Sequence, residues 1–125
     1  MYDMELHIAV VRNDLRTVDR LTKSIFSRGK INKKGENDMT IFMGACGNGF
    51  TEIVQLLLKR GAKVNVRSIH GSSPLSLASN GNFINVGILL LRHGASLEFA
   101  VEPYLSDILG VNQITNFVNM CRSLM

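Results

Sequence analysis

Two stretches of this chain nearly repeat each other 33 residues apart, and no other feature restricts the fold as strongly. Thr40–Asn65 reads TIFMGACGNGFTEIVQLLLKRGAKVN, and Ser73–Glu98 reads SPLSLASNGNFINVGILLLRHGASLE. Ala45 falls on Ala78, Phe50 on Phe83, Leu56-Leu57-Leu58 on Leu89-Leu90-Leu91, and Gly61-Ala62 on Gly94-Ala95. A fixed period of this size marks a stacked-repeat chain, in which each unit is a supersecondary element unable to bury its apolar face alone. Such a chain is built to present a surface.

One unit can be derived from capping and spacing. Ser73 can cap free amide groups at a helix start, and Pro74 suits the first helical position. Leu75, Leu77 and Ala78 supply an apolar face to a helix too short to stand alone. Asn80-Gly81-Asn82 is turn chemistry, and Val86 to Leu91 form a second, more hydrophobic helix that Gly94 ends. The preceding unit follows the same plan, with Thr40 as cap, Phe42, Ala45 and Cys46 in the short helix, Ile53 to Leu58 in the second, and Gly61 as the stop. Gly87 interrupts the later second helix at a cost of about 1 kcal/mol against alanine, which predicts close approach of a neighbouring helix.

At this point the residues resemble the ankyrin repeat. Its pattern G-x-T-P-L-H-x-A-A-x-x-G-H, then V-x-x-L-L-x-x-G-A-x-x-N, is echoed by Gly71 to Ala78, Gly49-Phe50, Ile53-Val54, Leu57-Leu58, Gly61-Ala62 and Asn65. Leu6-His7-Ile8-Ala9 resembles the L-H-x-A element of an earlier unit ending near Asn32, with about three extra residues near Thr22–Phe26. The resemblance implies an all-α solenoid of about four units at 1–32, 33–65, 66–98 and 99–125, the last a divergent C-terminal cap in which Leu105–Met125 forms two helices. The chain departs from the pattern where the histidine is replaced by Met43 and Ser76, and where Asp38 stands at a loop glycine that Gly71 keeps.

In that family specificity is carried by loop tips and by the outer ends of the short helices. The resemblance therefore places candidate partner-binding residues at Glu36, Asn37 and Met39 on one tip and Ile69, His70 and Ser72 on the next. Asn48 and Asn80 are the candidates at helix ends. Met39 and Ile69 are expected to be exposed apolar residues beside polar ones, the composition of an interface core.

Charge is divided unevenly. Twelve of the 14 Lys and Arg lie between Arg12 and Arg67 against five acids, giving +7 there and −3 elsewhere. Lys30 and Lys63 hold equivalent positions, as do Lys34 and Arg67, so a basic edge attractive to an acidic protein segment is expected. The competing use of such cations is to offset helix dipoles and maintain solubility, and Lys59 and Arg60 fit it. No aromatic interleaving accompanies the charge, which disfavours nucleic acid.

Chemistry of other kinds has little footing. His7, His70 and His93 are scattered, the two cysteines have no metal-ligand spacing, and there is no phosphate loop or nucleophile elbow. Cys46 sits where the repeat needs a small buried residue. No catalytic residue, cofactor, metal or small-molecule substrate is expected. No apolar run spans a membrane, no segment resembles a signal peptide, and two cysteines suit a reducing compartment. The expectation is a monomer in the cytoplasm, with the nucleus also open to it.

The function expected is therefore a non-enzymatic protein-binding module that inhibits or scaffolds its partner. Its size resembles cyclin-dependent-kinase inhibitors and truncated inhibitor-of-NF-kappa-B-like regulators. An adaptor is the alternative: Phe117, Cys121 and Met125 keep the spacing of the helix by which SOCS-box proteins, components of ubiquitin ligases, bind elongin C. The same i, i+4, i+8 stripe is what a capping helix needs.

Overall fold

A computed structural model describes residues 2–97 and 110–125, with side chains of the last segment from Gln113 onward. The described residues form helices α1 (Met4–Val11), α2 (Leu15–Thr22), α3 (Ser27–Ile31), α4 (Ile41–Asn48), α5 (Thr51–Lys59), α6 (Pro74–Asn80), α7 (Ile84–Arg92) and α8 (Gly110–Ser123). One 3-10 turn, Glu36–Asp38, precedes α4, and no strand occurs among the described residues. Successive pairs α1/α2, α4/α5 and α6/α7 pack within themselves. They stack so that α4 lies between α1 and α6, and α5 between α2 and α7. The expected second helix within Leu105–Met125, and the start of the last unit, lie outside the described residues.

The helix starts follow the capping chemistry. Thr40 accepts a bond from Met43 N–H at 3.2 Å, and Ser73 accepts one from Ser76 N–H at 3.1 Å. Ser76, standing where the ankyrin pattern has histidine, returns the favour: its hydroxyl accepts from Ser73 N–H at 2.8 Å, completing a capping box. Each helix pair turns through one left-handed residue, in register with the repeat: Asn13 (φ 54°), Gly49 (φ 71°) and Asn82 (φ 56°). Asparagine tolerates this conformation where other side chains do not. Helix ends repeat as well, with Ala62 N–H bonded to Leu57 O and Ala95 N–H to Leu90 O, both at 2.9 Å.

The core runs unbroken through the stack. Leu6, Val18, Phe42, Ala45, Ile53, Val54, Leu57, Ala78, Val86 and Leu90 are essentially inaccessible to solvent. Burial of each large apolar side chain contributes about 1.5–3 kcal/mol. Polar groups then fix the spacing of the units. The Asn32 carboxamide donates to Gly61 O at 2.9 Å and accepts from Lys63 N–H at 2.8 Å. Exactly one period later Asn65 does the same, to Gly94 O at 3.1 Å and from Ser96 N–H at 3.0 Å. Arg60 adds a link between the first two units, pairing with Asp19 Oδ1 at 2.6 Å and donating to Thr22 Oγ1 at 3.1 Å. Its main role is thus to join units, where the sequence suggested only a helix-dipole partner.

The two ends of the stack are finished differently. Ile41 and Pro74 are buried, whereas their counterpart Glu5 is exposed. Leu56 and Leu89 line grooves toward the preceding outer helix, whereas their counterpart Arg20 is exposed and pairs with Glu5 at 3.3 Å. At the other end α8 packs on α6 and α7. Gly87 makes this possible, since a Cβ there would lie 2.6 Å from both Cys121 Sγ and Phe117 Cζ. Val18 and Val54 hold the equivalent position in the earlier units. The cost of a helical glycine is offset by burying Phe117, Val118 and Cys121.

Candidate protein-binding face

The two tips are built on one frame. Gly35 N–H bonds to Met39 O and, one period on, Ser68 N–H bonds to Ser72 O, both at 2.8 Å. Asn37 (φ 58°) and Asp38 (φ 60°) take successive left-handed conformations in the first tip, while Gly71 (φ 84°) alone does so in the second. Asp38 thus carries the strain that Gly71 escapes. The buried Ser68 hydroxyl braces the second tip from inside, accepting from His70 N–H at 3.2 Å and Ser72 N–H at 3.1 Å. The tips are also joined to each other, since Ile69 N–H donates to Asn37 O at 2.9 Å. Four side chains stand out from this linked pair: Glu36, Asn37, Ile69 and His70 are exposed, Ile69 at 62%. Ser72 is half-buried.

Met39 differs from the expectation. It is half-buried and, with Tyr2, Met4, His7, Gly35 and Glu36, lines a recess of about 470 Å³ beneath the first tip. The cause is the N-terminal segment. Tyr2 packs over Gly35, where a Cβ would lie 2.7 Å from its ring, and its hydroxyl meets His7 Nδ1 at 2.7 Å. Sequence spacing gave no sign that Tyr2 would reach this loop. The exposed apolar residue of the tips is therefore Ile69.

At the helix ends Asn48 and Asn80 are both exposed. Asn48 bonds back to Gly44 O at 2.8 Å, while Asn80 makes no side-chain hydrogen bond among the described residues. The short helices present Ile8 and Val11 on α1, the bare backbone of Gly44 on α4, and Leu77 on α6 against Gly47.

The basic edge is less uniform than its spacing implied. Lys30 is half-buried, pairing with Asp3 Oδ2 at 3.1 Å and donating to Leu21 O at 3.4 Å. The Leu6 N–H bond and then Lys30 hold the Asp3 carboxyl below its ordinary pKa. Arg67 is half-buried and already engaged. Lys34 and Lys63 are exposed. The period brings these four residues to equivalent places, but tertiary contacts divide their roles.

Neither cysteine is poised for chemistry. Burial pushes the Cys46 thiol far above its ordinary pKa and raises that of Cys121. Among the described residues no three His, Cys, Asp or Glu side chains gather as a metal site, and no helix is long and apolar enough to cross a membrane.

Helix pairs stacked in register, capped in register and joined by linked loops define a repeat solenoid. The chain matches the family model for ankyrin repeats (3 copies) over residues 6–100 and belongs to the ankyrin-repeat family. It is 41% identical over 71 residues to ankyrin repeat and KH domain-containing protein mask of Drosophila melanogaster. That alignment covers 57% of this chain and 2% of the relative. It is 42% identical over 71 residues to human ankyrin repeat and KH domain-containing protein 1, covering 57% and 3%. A Caenorhabditis elegans poly [ADP-ribose] polymerase tankyrase is 38% identical over 60 residues, covering 47% and 3%. The chain thus spans only a few per cent of the length of these relatives. The crystal structure of the human ASB11 ankyrin repeat domain superposes with a TM-score of 0.71 at 22% identity. The match covers 94% of this chain and 52% of that one, and it supports the fold. Ankyrin repeats are protein–protein interaction modules.

Proposed function

We propose that this chain is a single four-unit binding domain, without catalytic activity, that holds one partner protein through its tips and short-helix face. The observation that carries this reading is the linked pair of tips. Their main-chain bonds are satisfied internally, which leaves Glu36, Asn37, Ile69 and His70 free to contact a partner at little ordering cost. Asn48, Ser72 and Met39 border the same face. Lys34 and Lys63 favour a partner that brings an acidic segment, with Lys30 and Arg67 supporting the edge from within.

Occupation of this kind suits an inhibitor or scaffold acting as a monomer in the cytoplasm or nucleus, including regulators of the kinase-inhibitor or NF-kappa-B-inhibitor type. The adaptor reading has less support. Phe117 and Cys121 lie on the buried side of α8, against Gly87 of α7, so two of the three stripe residues are occupied while that helix is seated. Met125, the third, is 50% exposed.

The test is a pulldown at low and high salt with wild type and an Ile69→Glu/Glu36→Lys double variant. Loss of partners by a folded variant is expected, and undiminished recovery of the same partners would sink the proposal. Identifying those partners separates the regulator classes. Deleting residues 114–125 addresses the adaptor alternative, since unfolding of the stack marks α8 as a cap.

A further inference from the structure

At the opposite end of the same face, α6 and α8 enclose a recess of about 270 Å³. Asn80 ends α6 and Asn82 follows in the left-handed turn, so two carboxamides border one side. Gln113, Asn116 and Met120, spaced i, i+3 and i+7 on one face of α8, border the other, with Phe117 at the apolar base. None of the four carboxamides makes a side-chain hydrogen bond among the described residues. The contrast with Asn32, Asn48 and Asn65 is informative, because each of those is bonded to main chain.

A second observation points to a ligand. Ser79, 3% exposed, lines the recess, and its hydroxyl is buried with no hydrogen-bond partner among the described residues. A buried polar group left unpaired costs free energy, and native structures rarely keep one without a use.

We propose that this recess binds a short, extended, uncharged segment of a partner protein, with one aliphatic side chain placed against Phe117 and Met120. The inference rests on the protein-binding reading above and specifies chemistry at one end of the face. Carboxamides donate and accept together, which matches the paired N–H and C=O of a peptide unit. No lining residue is charged, so an ionic ligand finds no counter-charge there. Met120, 48% exposed, is flexible enough to fit aliphatic groups of differing shape. The volume is at the small end for ligand sites and suits a short segment of a longer chain.

Panning a phage-displayed library of random heptapeptides against the full chain tests this. Enriched peptides are expected to be uncharged around a central aliphatic residue. They should shift the side-chain amide resonances of Asn80, Asn82, Gln113 and Asn116. The Asn80→Ala/Asn116→Ala variant, altered only at exposed positions, should bind them about tenfold more weakly or worse. Affinity should change by less than about twofold between roughly 0.1 M and 1 M salt. Ser79→Ala loses no hydrogen bond to the described residues and removes a buried unpaired hydroxyl, so it should be at least as stable as wild type and still bind more weakly. Equal binding by the double variant, amide resonances that stay put, or no enrichment would each overturn the proposal. If the selected peptides are acidic and are lost on Ile69→Glu instead, the tips bind protein and this recess does not.

Discussion

The two ends of the stack face the same problem and meet it by different means. At the N-terminal end the first unit replaces the pattern's apolar junction residues by Glu5 and Arg20, a pair whose side chains are about two-thirds exposed. At the C-terminal end α8 is laid over α7, and one glycine where earlier units have valine admits it. The first solution changes side chains on the helices already present and adds no covering element. The second adds an element and depends on the fit of a single backbone position. Substitution of residues is a tolerant way to finish a solenoid, and docking of a helix is a stringent one.

That difference predicts where the molecule breaks. Gly87→Val restores the side chain of the earlier units, clashes with Phe117 and Cys121, and should cost about 3 kcal/mol in urea unfolding. Hydrogen exchange should accelerate over residues 113–123 first, and an undisturbed α8 would erase the contrast between the ends. Between the ends, Asn32→Ala and Asn65→Ala each remove two bonds between units and should each cost about 1–2 kcal/mol. A markedly smaller effect at one of them would show that the units are not joined equally. At the N-terminal end Glu5→Ala should cost no more than about 0.5 kcal/mol, as exposed pairs do. Glu5→Ile/Arg20→Leu should instead produce concentration-dependent self-association in sedimentation, with the melting temperature little changed.

The smallest effect concerns acid. The Leu6 N–H bond and Lys30 lower the folded pKa of Asp3, so its contribution is complete above the unfolded carboxylate value of about 3.9. It is lost as pH falls through the lower folded value. Asp3→Asn should flatten that part of the acid-unfolding curve, and an unchanged curve would remove Asp3 from the N-terminal anchor.

Much of this architecture was legible because it is local. The Thr40 and Ser73 caps and the Gly61 and Gly94 stops each depend on residues a few positions away, and the period repeats that local pattern 33 residues on. Gly87 was legible as a place of close approach because a glycine in so apolar a helix needs a reason. The bracket made by Asn32 and Asn65 was not, since each reaches a carbonyl 29 residues on and surface asparagines are common. Nor was the fate of Met39, which depends on where Tyr2 lands, or of Lys30, which depends on Asp3. The candidate face was legible as a set of positions. Which of its side chains project was decided by contacts distant in the chain.

The hydrogen bond from Ile69 to Asn37 runs between main-chain atoms, as do the bonds that close each tip. Residue identity at Glu36, Ile69 or His70 therefore has little bearing on the shape of the pair, whereas Asn37 holds a left-handed conformation (φ 58°) that asparagine tolerates. Substitution at Glu36, Ile69 and His70 can proceed while folding is left untouched, so the side chains the tips expose and the groups that shape the tips are largely separate.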